Sequence, residues 1–559
     1  MTTRIYIILI ALCCLTVAKA QDSKAERAYV HLDKDCYLAG ENVWFKFFVT
    51  NEHLTPSILS KVGYIEICDT EKPLVQRIVV LDNGMGTGKI KIPSDIPSGI
   101  YRLYGYTRFM RNEEEKVFFS RDVAIINMEQ TSITDQVAVS PANENYRAPA
   151  PQQPATIRVS TDKNEYANRA QVELKLDNLP GNIVDLTVSV FRDDSIAYLP
   201  PVNKTDWLKQ VKSITNFPAP NIWIPEYEGH ILTGYTVTTS GEPIRLEPDS
   251  YSADIGFIGK NIRYIAGRKN GDRINFYTRN TYGPQDIVTT VMCDNGTYRL
   301  NLLSPYAKPK TEKLPVLQLR YEDKNLMDRY VAIQLQQIAG IDSTGNRVPF
   351  ENYYTLQHVD SYNLDEYTRF NTVRETLIEY VLRVRVRTVG DQRRLQVFSD
   401  ETKRFVSGNT LVLLDGVPIH NHDDILNYNP LNIKKMDVYN GQYIFGGKVF
   451  NGMVCFSTHN VNLTSIQLRD YMQLLEYNCP GLPEFLQAPP YNDKAGKESV
   501  VPDFRHTLYW NPFLEGVTGT SVPLSFYTSD LCGEFKVVVE GFTQHGEIIC
   551  GTTYFTVKE

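Results

Sequence analysis

Short runs of alternating apolar and polar residues constrain this chain more than any other feature. Examples between residues 25 and 130 are "GYIEICD", "QRIVVLDNG" and "GKIKIPSDIPSGIYRLYGYT", in which Gly, Asn, Asp and Pro interrupt the alternation. Alternation with a period of two places successive side chains on opposite faces of a strand, and frequent turn residues join such strands antiparallel. The pattern therefore predicts a mainly β fold built of antiparallel sandwiches.

The alternation continues along most of the 559 residues of the chain. A single hydrophobic core rarely serves more than about 250 to 300 residues, so several domains are expected. The formal net charge is -7 and the pI is near 5.8. That balance argues against a nucleic-acid-binding protein, because phosphate contacts require a basic face.

The N-terminus has a different composition. A basic start, "MTTR", precedes the apolar run "IYIILIALCCLTVA" and the small-x-small sequence "AKAQ". These features predict a signal peptide over residues 1–20, cleaved between Ala20 and Gln21, and hence an exported protein. No later run reaches ~18 uninterrupted apolar residues, so no transmembrane segment is expected in the mature chain.

Cysteine usage leaves the redox chemistry open. Seven cysteines remain after the signal peptide, an odd number, so at least one thiol has no partner within the chain. The pairs Cys36–Cys68 and Cys532–Cys550 are possible disulfides. The alternative is that most of the thiols are small buried hydrophobic groups on strands.

Two sequence blocks in the first segment belong together. "HLDKDCYLAGENVWFK" and "GIYRLYGYTRFMRN" occur in this order between residues 25 and 130. They resemble the second macroglobulin-type (MG2) domain of large envelope proteins of the phylum Bacteroidota. The resemblance implies a macroglobulin-like β-sandwich over 25–130 in a protein of a Gram-negative envelope, located in the periplasm or at the outer membrane.

An internal repeat follows a linker. Residues 131–154 are polar with four prolines and are predicted to be a linker. Beyond them "TDKNEY" (161–166) repeats "LDKDCY" (32–37), and each copy precedes an alternating strand. The repeat predicts a second macroglobulin-like sandwich over 155–225, unless a common turn composition has recurred by chance.

Strands continue in two further segments of the chain. Around "DNGTYRLNL" they predict an Ig-like or carboxypeptidase-regulatory-like β module over 226–345. Residues 463–559 again have the pattern of an antiparallel sandwich, similar to the C-terminal module of the same envelope family.

The segment 360–462 has a different pattern. Val373, Leu377 and Ile378 lie at helical spacing, and a strand, "LLDGVPI", "NPLNIKKMDVY" and "YIFGGKVFNGMVCFST" follow. This order resembles the plug domain of TonB-dependent outer-membrane receptors. Fewer than 100 residues follow Asn460, too few for a barrel of eight or more strands. We therefore expect one small plug-like α+β domain among the tandem Ig-like and macroglobulin-like sandwiches, and not a transporter.

Two short motifs imitate known sites. "CGEF" (532–535) begins like the Cys-Gly-Glu-Gln thioester motif of macroglobulin-type protease traps, but Phe535 replaces the glutamine that would supply the acyl group. A hairpin turn with a buried Phe535 is expected there. "GMGTGK" (84–89) lacks the Ser or Thr after lysine that a phosphate-binding loop requires, and the strand "KIKIP" follows directly. A glycine-rich hairpin connection is expected instead.

The loop "HNHDD" (420–424) gathers imidazoles and carboxylates, which are ligands for zinc and other transition metals. It contains no helical His-x-x-x-His pair. A solvated loop entering a short helix, with Asp423 or Asp424 near the helix cap, is the simpler interpretation. No metal site and no cofactor are therefore expected.

A stripe of arginines lies earlier in the same segment. Arg383, Arg385 and Arg387 alternate with valines, so one face of the predicted strand carries three positive charges. Such a face is either simply solvated or a dock for an acidic partner.

These features favour a non-enzymatic protein that mediates protein–protein interaction in a Gram-negative envelope. The resemblance to receptor plugs implies a role accessory to an outer-membrane transport system, with an envelope protein such as an outer-membrane barrel as partner. The candidate partner-binding residues, all expected to be exposed in the plug-like segment, are Arg383, Arg385, Arg387, Asp415, His420, His422 and Asp423.

Two alternatives remain open. One is a carbohydrate- or peptide-binding envelope protein, in which exposed tryptophans stack on the ligand beside converging carboxylates. Burial of the four tryptophans would favour the interaction protein instead; they are Trp44, Trp207, Trp223 and Trp510. The other alternative is a thioester-free macroglobulin-like protease inhibitor.

Overall fold

The structure is a computed structural model. It describes residues 25–129, 137–141, 154–194, 196–197, 199–213, 222–259, 263–321, 323–338, 344–346, 359–445, 448–493, 496, 498–514 and 519–559. Strands dominate these residues, so the predicted mainly β fold class is confirmed. The predicted signal peptide and most of the predicted linker lie outside the described residues. Among the helices within the described ranges, none has the length and apolar character needed to cross a membrane.

The chain divides into two compact units, each assembled from separate stretches of sequence. The first unit contains Met1–Tyr227, Ala307–Arg347 and Leu482–Glu559, and the second contains Glu228–Tyr306 and Val348–Gly481. The chain therefore passes between the units four times.

The first eight strands of the first unit form a complete sandwich. They are β1 Arg27–Leu32, β2 Cys36–Leu38, β3 Asn42–Thr50, β4 Val62–Cys68, β5 Pro73–Val80, β6 Met85–Lys91, β7 Gly99–Tyr106 and β8 Phe119–Ile126. Their two sheets are ordered β1-β3-β6 and β2-β8-β7-β4-β5, with β2 parallel to β8. The Phe47 ring of β3 lies so close to Gly63 of β4 that a Cβ there would be 2.9 Å from it, so the sheets meet in a tightly packed core.

A second sandwich has the same topology but is built from two distant stretches. The first stretch supplies β10 Arg158–Thr161, β11 Glu165–Ala167, β12 Gln171–Asp177 and β13 Ile183–Arg192, and the second supplies β33 Thr507–Asn511, β34 Ser521–Tyr527, β35 Gly533–Thr543 and β36 Ile548–Lys558. Its sheets are ordered β10-β12-β34 and β11-β36-β35-β13-β33. This order reproduces the first sandwich strand for strand, including a parallel pair, here β11 and β36.

The repeated sequence folds into the same hydrogen-bonded turn in both sandwiches. In the first, the Tyr37 hydroxyl donates to Asp33 Oδ1 (2.8 Å), and in the second the Tyr166 hydroxyl donates to Asp162 Oδ1 (2.6 Å). In each case the same carboxylate oxygen also accepts from a backbone N–H of the next long strand, β3 (3.0 Å) or β12 (2.9 Å). The sequence repeat is therefore a structural repeat, in which an aspartate ties a turn to the strand that follows.

The second sandwich differs from the predicted domain organisation. The sequence predicts separate sandwiches over 155–225 and 463–559, whereas the structure places strands of both segments in the same two sheets. The backbone N–H of Arg192, which ends β13, donates to the carbonyl of His506, just before β33 (2.9 Å). All the chain between these two residues is thus an insertion between adjacent strands. Each segment supplies only four of the eight strands, so neither closes a sandwich alone.

Parts of the insertion belong to the first unit. They include the helices α1 Lys204–Lys212 and α2 Asp323–Ile338 and the paired strands β22 Thr344–Asn346 and β32 Glu484–Leu486. The inserted strand β21 Leu317–Tyr321 pairs in parallel with β9 Val137–Pro141, which precedes the insertion. The buried guanidinium of Arg329 in α2 bonds to Glu41 Oε2 (2.8 Å) and Asp194 Oδ2 (2.7 Å). Because Glu41 belongs to the first sandwich and Asp194 follows β13, this arginine ties α2 to both.

The second unit contains an Ig-like module of two four-stranded sheets. Its strands are β14 His230–Thr238, β15 Tyr251–Phe257, β16 Tyr264–Ala266, β17 Arg268–Asn270, β18 Arg273–Thr278, β19 Pro284–Cys293, β20 Tyr298–Leu302 and β31 Met472–Asn478. The sheets are ordered β17-β18-β14-β20 and β16-β15-β19-β31. The last strand comes from far along the chain and pairs with β19, outside the segment 226–345 in which the module is predicted.

The rest of the second unit is α+β, as predicted for the plug-like segment. Its elements are β23 Val359–Asn363, α3 Val373–Tyr380, β24 Val384–Val389, β25 Gln392–Ser399, β26 Arg404–Phe405, β27 Leu411–Leu414, β28 Val417–Pro418, α4 His422–Leu426, β29 Ile433–Phe445 and β30 Lys448–Thr458. One mixed sheet is ordered β23-β29-β30-β27-β28 and a smaller one β24-β25-β26. In α3, Val373 and Leu377 are buried as their spacing predicts, whereas Ile378 is exposed.

All seven cysteines are free thiols in the described structure, so neither of the two possible disulfides is formed. Cys68 and Cys455 are buried on strands. Burial raises the pKa of the Cys68 thiol to about 12. These cysteines therefore behave as the small hydrophobic groups of the alternative interpretation.

Candidate functional site

The predicted arginine stripe lies on a hairpin whose outer strand is β24. In β24 and β25, Arg385 is opposite Gln396 and Arg387 is opposite Arg394, so these four side chains share one face of the hairpin. Val384 is buried on the opposite face, and Val386 packs against the same core. The alternation of arginine and valine thus separates a polar face from a core face, as the sequence predicts.

Arg383 precedes β24 and already has two carboxylate partners. Its Nε is 2.9 Å from Asp360 Oδ2, and its Nη1 donates to Asp400 Oδ1 (2.7 Å). The hydrogen bond that Arg383 donates to Asp400 raises the pKa of this guanidinium, and its effect is larger than the opposing effect of partial burial. Arg383 therefore holds three parts of the fold together and is poorly placed to bind a partner.

Arg385 and Arg387 are exposed. The Arg385 guanidinium lies 4.5 Å from the centre of the Phe405 ring, and its Nε donates to Gln396 Oε1 (3.0 Å). Both of these partners are uncharged. Arg387 lies directly across the strand pair from Arg394, and like charges in this position destabilise a sheet. The exposed face is thus a preorganised cationic surface without a carboxylate of its own among the described contacts.

Asp415 is buried, contrary to the expectation that it is exposed. With Gly416 it forms the two-residue turn between β27 and β28, and both residues have positive φ (49° and 86°), as a type I′ turn requires. Its carboxylate accepts from Thr458 N (2.7 Å), Thr458 Oγ1 (2.6 Å) and Leu463 N (2.9 Å). This aspartate therefore fixes the turn to the end of β30.

The "HNHDD" loop directs its side chains to separate partners. His420 Nε2 is 3.1 Å from Asp254 Oδ2, and Asp424 Oδ2 accepts from Arg469 Nε (3.0 Å). Asp423 pairs with Arg393. The helix cap is Asn421, with Asp423 and Asp424 in the first turn.

His422 of this loop is buried, again contrary to expectation. Its Nδ1 accepts from the backbone N–H of Leu395 (2.9 Å), which places the proton of the neutral ring on Nε2. Burial, with the charges of Arg394 and His420, lowers the pKa of His422 to about 4. Within the described ranges, no three His, Cys, Asp or Glu side chains come together as metal ligands.

Neither of the two imitation motifs forms the expected hairpin: "CGEF" follows β34 and enters β35, "GMGTGK" follows β5 and enters β6, and in each case the two strands belong to different sheets. The expected burial of Phe535 is confirmed. Phe535 is fully buried and stacks on Phe555 with ring centres 5.5 Å apart, and Gly533 begins β35 with φ of 134°. Gly84 (φ 72°) makes the turn before β6, which contains the remainder of "GMGTGK". Neither motif offers a reactive site.

Sequence reasoning missed Arg394. Its place beside Arg387 depends on the register of the hairpin, and no local pattern marks it. Only the short turn between Val389 and Gln392, "GD", could have suggested the pairing.

The comparisons with known proteins are weak. No family model matches the chain, and no curated protein matches it. Among solved structures, alpha-2-macroglobulin of Salmonella reacted with methylamine aligns with 95% of this chain at 8% identity and a TM-score of 0.23. Trypsin-activated alpha-2-macroglobulin from Escherichia coli aligns with 96% at 8% identity and a TM-score of 0.22. An Escherichia coli adhesin aligns with 53% at 9% identity and a TM-score of 0.15.

This chain spans 39% and 41% of the length of these two macroglobulins and 64% of the adhesin chain. Structures similar to this chain thus include bacterial macroglobulins and an adhesin. TM-scores this low describe a poor superposition of the whole chain, so the likeness identifies neither a family nor a function.

Proposed function

We propose that this chain is an exported, non-enzymatic interaction protein of a Gram-negative envelope. It docks an extended acidic segment of a partner along the free edge of β24, beside Arg385 and Arg387. The partner is an envelope protein, such as an outer-membrane barrel, and the role is accessory to an outer-membrane transport system.

The observation that carries the proposal is the free edge of β24. Among the described strands, β25 is its one neighbour, so the backbone groups of its other edge are available to an added strand. The arginines stand beside this edge, and Arg387 faces the like charge of Arg394. An acidic strand added here would gain main-chain hydrogen bonds and relieve that repulsion.

The surroundings of the tryptophans count against the carbohydrate alternative. Trp44, Trp207 and Trp510 are buried, which leaves no ring face for a sugar. Trp223 is half-buried, and the Arg111 guanidinium lies 3.8 Å from its ring centre. An inhibitor that traps proteases through a thioester is also disfavoured, because Phe535 occupies the position of the acyl donor.

The test is a pull-down of the tagged mature chain from gently solubilised envelopes, with captured proteins identified by mass spectrometry. We expect one envelope protein to be captured, and the double variant Arg385→Glu, Arg387→Glu to reduce its recovery about tenfold. Added salt should have the same effect, because exposed charges are screened. Arg383 is left unchanged, since its reversal would break two internal ion pairs.

Each of the two single reversals, Arg385→Glu and Arg387→Glu, has its matched control in Lys434→Glu, which reverses one charge at an exposed position of β29. The control should leave the recovery unchanged. Equal capture by the double variant and the native chain, or no capture by either, would refute the docking proposal.

A further inference from the structure

A cavity in the second unit has basic but no acidic side chains among its described lining residues. Its volume is about 260 Å³, and it lies between the Ig-like module and the α+β part of the second unit. Arg394, Lys448, His420 and His422 contribute to the lining, and none of the described lining residues is Asp or Glu. Tyr264 and Phe450 add an aromatic wall, with rings nearly perpendicular and 5.5 Å between their centres.

Neither of the two permanent cations of this lining, Arg394 and Lys448, has a carboxylate partner among the described residues. The Arg394 guanidinium donates to the His420 carbonyl (3.1 Å) and to Gln392 Oε1 (2.7 Å), both uncharged acceptors. In the described residues no carboxylate lies within ion-pair distance of Lys448. The carboxylate behind the cavity, Asp254, is buried and is already paired with His420 (3.1 Å).

The titration behaviour of neighbouring groups is consistent with an excess of positive charge. Burial lowers the pKa of His422, and Arg394 lowers it further. Near Lys448, burial lowers the pKa of Lys269. The charge of Asp249 raises this pKa, and the charge of Lys448 lowers it. An uncompensated cationic cavity favours an anionic occupant.

A buried hydroxyl supplies an independent observation. Thr410 lines the cavity with 5% of its surface exposed, and its Oγ1 has no hydrogen-bond partner among the described residues. A buried hydroxyl left unpaired is destabilising, so such groups normally have a partner. The Oγ1 atom is itself covered by protein, so a ligand oxygen in the cavity reaches it only when the hydroxyl rotates towards the cavity.

We propose that this cavity binds a small organic anion through its phosphate or carboxylate group. Arg394 and Lys448 supply charge-assisted hydrogen bonds, and the Thr410 hydroxyl supplies another. The aromatic wall of Tyr264 and Phe450 accommodates the carbon part of the molecule. The volume lies slightly below the usual range of about 300 to 1,000 Å³ for small-molecule sites, which favours a compact ligand.

The test is isothermal titration calorimetry of the full mature chain with sodium phosphate and, separately, with sodium citrate, at constant ionic strength set by chloride. We expect saturable binding of at least one, and about a tenfold loss of affinity in Arg394→Gln and in Lys448→Gln. Binding of phosphate alone identifies a phosphate ligand, and binding of citrate alone a carboxylate ligand.

Two further variants separate the site from general charge effects. Thr410→Val keeps the side-chain shape and should weaken binding while leaving the melting temperature equal or higher, since it removes an unpaired hydroxyl. Lys434→Gln removes a charge outside the cavity and should leave binding unchanged. No saturable heat with either anion, or equal losses in Lys434→Gln and Lys448→Gln, would overturn the proposal.

Discussion

Asp415 illustrates how one side chain can hold a turn in place. Its carboxylate accepts three hydrogen bonds, two of them from backbone N–H groups that cannot reverse their role. In Asp415→Asn an amide donor replaces one of the two acceptor oxygens and faces a donor. We expect the free energy of unfolding to fall by about 2 kcal/mol, measured by urea denaturation.

Asp423→Asn is the matched control. Asp423 is half-buried and pairs with Arg393 at the surface of the same segment. Loss of such a pair costs less than about 1 kcal/mol. Equal destabilisation by the two substitutions would contradict the structural role of Asp415.

The sequence was informative for some of these residues and misleading for others. The alternation of arginine and valine predicts which face of β24 is polar, because a strand has a period of two. The burial of Asp415 depends on β30, which lies further along the chain. The burial of His422 depends on β25, which precedes it in the chain. A turn sequence such as "LLDGVPI" indicates the turn but not what packs over it.

At the scale of elements, a buried network of charged side chains joins β1 of the first sandwich to the second sandwich. His31 Nε2 is 2.5 Å from Asp185 Oδ2 on β13, and His31 Nδ1 is 2.8 Å from Glu540 Oε1 on β35. Lys46 and Lys204 lie 2.6 Å from the remaining oxygens of these two carboxylates. Because both ring nitrogens face carboxylates, the imidazolium form of His31 is the one that fits.

The pKa values define the pH window of this network. Burial alone would lower the pKa of His31, but Asp185 and Glu540 outweigh it, so the pKa is raised. Burial alone would raise the pKa of Asp185, but His31 and Lys46 lower it to about 2. The stabilisation from His31 is thus fully present below its unfolded pKa of about 6.5 and is lost as pH rises through the folded pKa. That from Asp185 is lost as pH falls from about 4 to 2.

We therefore predict that His31→Gln destabilises the chain by about 3 kcal/mol between roughly pH 4 and 6.5, since each of the two carboxylates keeps its lysine but loses the imidazolium. The difference from the native chain should shrink as pH rises above neutral. Urea denaturation at several pH values measures it, with the exposed His53→Gln as the control. A difference that stays constant or grows with rising pH would rule out the charged form of His31.

Elements with a local pattern could be predicted, and their pairing could not. The spacing of Val373 and Leu377 predicts α3, and the recurrence of "LDKDCY" as "TDKNEY" predicts a second sandwich over 155–225, whose first strand in the structure begins at Arg158. The completion of that sandwich by β33–β36 depends on contacts such as Gly541, where a Cβ would lie 2.0 Å from the Asp185 carbonyl oxygen. Nothing in the sequence around Gly541 indicates that a distant strand requires a glycine there.

The whole molecule is organised by one topological event, the insertion of a long segment between β13 and β33. A hydrogen bond from Arg192 N to His506 O (2.9 Å) joins the end of β13 to the start of β33. The inserted chain therefore leaves the second sandwich and returns to it at neighbouring positions. This arrangement makes the second sandwich depend on residues more than 300 positions apart, whereas the first sandwich is continuous. The two should therefore differ in their ability to fold from fragments.

We predict that residues 25–127 fold alone, whereas residues 154–194 and 499–559 each remain unfolded and fold when mixed. In the first of these halves β13 has no strand partner, and in the second only the β35–β36 hairpin is complete. An isolated hairpin is marginally stable at best. Far-UV circular dichroism and the dispersion of amide NMR signals measure folding, with 25–127 as the positive control. If either half unfolds cooperatively by itself, the second sandwich is not the interdependent structure described above, because its eight strands would then not all be needed to close one core.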